Sequence, residues 1–119
     1  MLNLQGLSAL GLDVEEGMAY CADDEDFYEE MLGEFALEAQ KGLEDLIQGY
    51  ASRDWERYAL RAHTIKSTSR MIGAKEVSEK ARQLEHSAKT GEEEMLHTMH
   101  EPFLTEYRGL TEGIRKNIG

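Results

Sequence analysis

Two side chains three residues apart, His63 and Lys66, carry the chemistry this sequence offers, in the stretch R-A-H-T-I-K-S-T-S-R-M-I-G-A from Arg61 to Ala74. On a helix of about 3.6 residues per turn, Lys66 and Ser67 return to the side of the cylinder that carries His63. A neutral imidazole is a nitrogen nucleophile, and an ordinary histidine side chain, with a pKa of about 6.5, is mostly in that form at neutral pH. A neighbouring ammonium disfavours protonation of the ring and pairs with the oxygens of an incoming phosphoryl group. The pair therefore suits phosphoryl transfer through a histidine nitrogen. No G-x-x-x-x-G-K-[ST] or G-x-G-x-x-G run accompanies it, so the chain is expected to lack a nucleotide pocket, and the in-line geometry and metal would come from a partner.

Such chemistry requires His63 to face water from a rigid element. The stretch 53–72 has no Pro, follows the candidate N-caps Ser52 and Asp54, and stops at Gly73, a candidate C′ residue. Tyr58, Ala62, Ile65, Ser69 and Ile72 form a stripe centred roughly 140° from His63, which marks the core side. Glu56, Leu60, Ser67 and Arg70 share the side of His63, with Lys66 about 60° to one side and Thr64 and Met71 about 90° to the other. The imidazole is thus expected in solvent, with Leu60 and Met71 exposed near it. Spacing alone leaves a surface histidine without a chemical role as the competing reading.

The remaining segments read as the helices that hold this one in place. Residues 1–12 carry Leu4, Leu7, Leu10 and Leu12 and predict a brief helix or an extended lid. Asp13 is a candidate N-cap, with Glu15 and Glu16 in a first turn and Val14, Met18 and Cys21 inward. A helix is placed at 24–49, opened by the acids of 23–26, with Phe27, Met31, Phe35, Ala39, Leu43, Leu46, Ile47 and Tyr50 at helical spacing. Gly33 and Gly42 within it suggest close helix approach, and Gly49, Tyr50 and Ser52 read as the turn into the histidine helix. After Gly73, Val77, Ala81, Leu84 and Ala88 face inward until Thr90-Gly91. The last segment has Glu92–Glu94 in its first turn and Met95, Met99, Phe103, Leu104, Tyr107, Leu110, Ile114 and Ile118 inward, and Pro102 is expected to kink or restart it. The fold class is all-α: an antiparallel up-down four-helix bundle with a short extra N-terminal helix, one domain over 1–119 with its core in 13–117.

Composition excludes several functions. With 24 acidic against 13 basic residues the net charge is -11 and no basic run interrupts it, which disfavours nucleic acid and anionic membranes. No apolar run approaches the roughly 20 residues of a membrane span and no signal-peptide pattern opens the chain, so a cytoplasmic location is expected. The single cysteine, Cys21, reads as a small core-facing residue. Glu94-x-x-His97, with His100 three further on, is one half of a di-iron pattern that needs two such pairs, so no metal site is expected. His86 reads as solvated, Trp55 and Tyr58 as core, and the acids of 23–26 as capping and solubility. No serine or cysteine nucleophile is placed with His63 by a recognisable motif.

His63 to Ala74, H-T-I-K-S-T-S-R-M-I-G-A, resembles the signature of histidine-containing phosphotransfer domains of two-component phosphorelays: His, Lys three on, usually Gly four on, then small residues and Gly-Ala at plus ten and eleven. His63, Lys66, Ser69, Gly73 and Ala74 match, and Ser67 departs from the usual Gly. Gly11 to Phe35, with F-Y-E-E-M-L-G-E-F, resembles the family's leading helices, and A-R-Q-L-E, Ala81 to Glu85, the helix beside the histidine. The resemblance implies that His63 is the phosphoacceptor for a receiver-domain aspartate, that Lys66 orients the phosphoryl group, and that Glu85 hydrogen-bonds the ring. Ser67 keeps room for a partner loop and adds a hydroxyl; Leu60, Thr64, Arg70 and Met71 would surround the docked partner. The partners implied are response-regulator receiver domains and a hybrid sensor histidine kinase, with Mg2+ on the receiver, no cofactor or kinase activity in this chain, and a monomer as the expected state. A helical interaction module without phosphotransfer is the alternative.

Overall fold

The computed structural model describes residues 2–119, and among them every regular element is a helix. Two short helices, α1 (Leu4–Ala9) and α2 (Val14–Tyr20), precede four long ones, α3 (Glu25–Ala51), α4 (Trp55–Met71), α5 (Lys75–Thr90) and α6 (Glu93–Asn117). The long helices form the expected up-down bundle, with α4 between α3 and α5, and α6 closing the ring against both of those. The stretch before Asp13 is a helix rather than an extended lid. It lies on α6, where the Asn3 amide donates to the Asn117 carbonyl at 2.8 Å, and Leu7 is wholly buried.

The boundaries follow from capping chemistry. Asp13, Asp24 and Asp54 each accept a hydrogen bond from a first-turn amide, satisfying donors that a helix start leaves orphaned. At the other end of α4, Gly73 has φ +86°, the left-handed conformation that ends a helix without a Cβ penalty. The Asp13 amide donates to the Gly73 carbonyl at 2.8 Å, and a Cβ at 73 would run into the Asp13 backbone. The N-terminal helices thereby fasten the end of the histidine helix.

Several inward positions differ from the periodic reading. On α3 the buried stripe is Tyr28, Leu32, Phe35, Ala36, Ala39, Leu43 and Leu46, whereas Phe27 and Ile47 are 41% and 42% exposed. They sit one residue, about 100°, off a stripe that has apolar neighbours on both flanks. The helix also runs two residues past its expected end to Ala51, so Gly49 and Tyr50 are helical, not part of a turn. Gly49 packs against the backbone of Asp54 and Tyr58. Gly42 does serve close approach, since a Cβ there would lie 2.9 Å from the Tyr107 hydroxyl. Gly33 does not, its nearest neighbour being 4.0 Å away. On α6, Leu96 is buried in place of Met95, and the helix continues through Pro102, which lies on the exposed face. Val14 and Met18 are only half-buried, while Cys21 is in the core.

Candidate functional site

The site is built where α4 and α5 pack most closely. Ala62, Ile65 and Ser69 from α4, and Val77, Ser78, Ala81, Leu84 and Ala88 from α5, are buried. These are mostly small side chains, which lets the two backbones approach. The Ser78 hydroxyl donates to the Lys66 carbonyl at 2.8 Å and ties the helices together beside the site. His63 lies on the opposite side of α4 from the core stripe, its side chain 54% exposed.

Glu85, one position beyond the buried Leu84, turns toward α4 with its side chain only 8% exposed and accepts three hydrogen bonds. His63 Nδ1 lies 2.9 Å from its Oε2, Lys66 Nζ 2.8 Å from its Oε1, and Lys89 Nζ 2.9 Å from Oε2. Burial alone would push the carboxyl up, but the hydrogen bonds from Lys66, Lys89 and His63 outweigh it and hold Glu85 at about 2. The group is therefore a carboxylate, which accepts and never donates. His63 Nδ1 must then carry the hydrogen, and in the neutral ring the lone pair is on Nε2, which has no hydrogen-bond partner among the described residues. The carboxylate selects both the tautomer and the ring orientation, leaving one nucleophilic nitrogen facing solvent.

Lys66 is beside His63 as spacing predicts, but its ammonium rests on Glu85, so its charge reaches the ring through the carboxylate. Ser67 is exposed one turn beyond His63. Leu60 is 69% exposed and borders, with Trp55, Ala59 and Ala88, an apolar groove that runs up to His63, Glu85 and Lys89. Thr64 belongs to the other flank, in a hollow against α3 with Met31 and Phe35. Arg70 is exposed, with its Nε donating to the Tyr20 hydroxyl at 3.2 Å. Met71 is half-buried rather than exposed, because it lies in the last helical turn just before the chain folds back into the core at Ile72. Sequence reasoning missed Lys89 altogether, although a Glu followed by Lys at i,i+4 on a helix is a readable pair. Trp55, read as core, is half-buried and lines the groove.

The other histidines are used differently. His100 is buried, 2.8 Å from the Tyr58 hydroxyl and stacked on Tyr50, and His97 pairs with the Tyr50 hydroxyl. Among the described residues no three His, Cys, Asp or Glu side chains gather closely enough to hold a metal ion.

The sequence profile of the Hpt domain matches residues 30–116, a span that holds α4, α5 and every side chain around Glu85. The chain belongs to the Hpt domain family. Hpt domains are phosphotransfer modules of phosphorelays, working with receiver domains and histidine kinases and having no kinase activity of their own. The Hpt fold extends beyond the matched span: the crystal structure of histidine-containing phosphotransfer protein B (HptB) from Pseudomonas aeruginosa PAO1 matches with a TM-score of 0.72. That match covers 97% of this chain and 91% of HptB at 23% sequence identity, and shows a common fold. No curated protein matches the sequence. No described helix of this Hpt domain is long and apolar enough to cross a membrane.

Proposed function

We propose that His63 is the phosphoacceptor of this Hpt domain, taking a phosphoryl group on Nε2 from a receiver-domain phosphoaspartate and returning it to the aspartate of another receiver. The observation that carries this is the hydrogen bond from Nδ1 of a half-exposed ring to a buried carboxylate, which in the neutral ring makes Nε2 the unprotonated nitrogen. In the forward step the Nε2 lone pair forms the P–N bond. The acyl-phosphate O–P bond breaks, and its electron pair stays on the aspartate oxygen. The product ring is cationic, with its proton on Nδ1 still held by Glu85. Lys66 orients the phosphoryl oxygens.

The receiver docks over Leu60 and the groove formed with Trp55, Ala59 and Ala88, and brings its own Mg2+. Ser67 leaves room for its loop, and Thr64 and Arg70 lie at the edge of the contact, with Met71 contributing less because it is half-buried. A cytoplasmic monomer, supplied by a hybrid sensor kinase, suits this role.

The test is transfer from radiolabelled phospho-receivers of the same organism. Label should appear on the wild type and be absent from His63→Gln, whose cooperative melting curve should show that the bundle still folds, because the replaced side chain is 54% exposed and Glu85 keeps Lys66 and Lys89 as donors. Labelling of His63→Gln, or no labelling of the wild type by any receiver, overturns the proposal.

A further inference from the structure

We infer that Lys89 is a second phosphoryl-binding residue, closing on phosphorylated His63 from α5 as Lys66 does from α4. The inference rests on the phosphoacceptor reading above. Lys89 Nζ and His63 Nδ1 share one carboxylate oxygen, each at 2.9 Å, so the two nitrogens lie no farther apart than twice that distance. Lys89 also lines the groove onto which His63 opens. Its side chain is 63% exposed against 29% for Lys66, so it can leave the carboxylate and swing to a new anion with little change in solvation.

Charge balance gives the second cation a role. Before transfer the neutral ring, Glu85 and the two ammoniums on it leave a single positive charge in this hydrogen-bonded cluster, with Glu56 lining the same groove, in a chain whose net charge is -11. That local excess attracts an anionic donor. After transfer the phosphoryl group brings up to two negative charges and the ring becomes cationic. With both lysines the cluster is then neutral; with Lys66 alone it would hold an uncompensated negative charge beside a buried carboxylate. Glu85 thus serves as the resting place of two ammoniums that move to the phosphoryl oxygens, while it keeps the Nδ1 proton of the cationic ring.

Phosphoramidate tests this without a protein partner. The Nε2 lone pair forms a P–N bond as the donor's own P–N bond breaks, and that electron pair leaves as ammonia. Labelling rate at several donor concentrations, and the half-life of the phosphohistidine after donor removal, would be followed by 31P NMR for wild type, Lys89→Met, Lys89→Arg and His63→Gln. Lys89→Met should lose about tenfold in labelling efficiency and shorten the half-life, as expected for one charge-assisted hydrogen bond at a partly exposed site. Lys89→Arg should stay within about twofold of wild type, since it retains the cation.

Wild-type behaviour of Lys89→Met, with His63→Gln silent, overturns the Lys89 role alone. Equal loss in Lys89→Met and Lys89→Arg also overturns it, because the cation would then not be what matters. Labelling of His63→Gln removes the phosphoacceptor reading and this inference with it. Melting curves for each variant separate a lost fold from a lost contact.

Discussion

Replacing Glu85 by Gln isolates the charge at the centre of the site. The substitution keeps the size of the side chain and one carbonyl acceptor, so packing between α4 and α5 is nearly preserved. What it removes is the anion that Lys66, Lys89 and His63 share. Against burial, those hydrogen bonds hold the carboxyl at about 2, compared with an ordinary 4.5. A carboxyl whose folded pKa is depressed contributes stability that is fully present above the unfolded value and is lost as pH falls toward the folded one. At about 1.4 kcal/mol per pH unit the contribution is ~3 kcal/mol at neutral pH, and about half of it has gone by pH 3.

Urea unfolding of wild type and Glu85→Gln should therefore differ by ~3 kcal/mol at pH 7, with the gap narrowing to roughly half at pH 3. A gap of the same size at both pH values would mean that shape, not charge, is being measured. No gap at pH 7 would mean that burial cancels what the three donors supply, as happens for many buried ion pairs. Either result refutes the reasoning.

Three further perturbations probe the frame and the surface. Gly73→Ala meets both a positive φ and the Asp13 backbone, and should cost about 2 kcal/mol or more, read as a melting temperature lower by several degrees. His100 is held neutral mainly by burial, with Glu101 opposing the shift and His97 adding to it. The unfolded chain then binds the extra proton, so stability should decline as pH falls below about 6.5, and His100→Phe should flatten that slope in urea melts between about pH 5 and 7. Leu60→Asp, at a side chain 69% exposed, should leave the melting temperature unchanged and weaken receiver binding by about tenfold or more in fluorescence anisotropy.

The bundle and the face of His63 were legible because α4 separates its two sides cleanly: Tyr58, Ala62, Ile65, Ser69 and Ile72 are all buried, and His63 is not. On α3 the same method slipped, because Phe27 and Met31 offer a stripe as regular as Tyr28 and Leu32. Only packing against neighbouring helices decides between them. Glu85 drew a role solely through family resemblance, since an acid on a polar helix reads as solvated. Its burial depends on cations that arrive from α4 and from one turn along α5, a contact that local periodicity does not contain. Lys89 was missed for the same reason, since its i,i+4 spacing from Glu85 does not show that the carboxylate is buried.

Because Glu85 occupies Nδ1, the ring offers one atom to the outside, and that atom lies on one helix face. On the phosphoacceptor reading proposed above, entry and exit of the phosphoryl group share a single gate. A second receiver cannot attack until the first has dissociated, so donor and acceptor compete for the same surface. Turnover should follow double-displacement kinetics, with an unphosphorylated receiver in excess acting as a competitive inhibitor of loading. A face that bound either receiver too tightly would stall the relay, which sets an upper limit on how apolar the Leu60 groove can become.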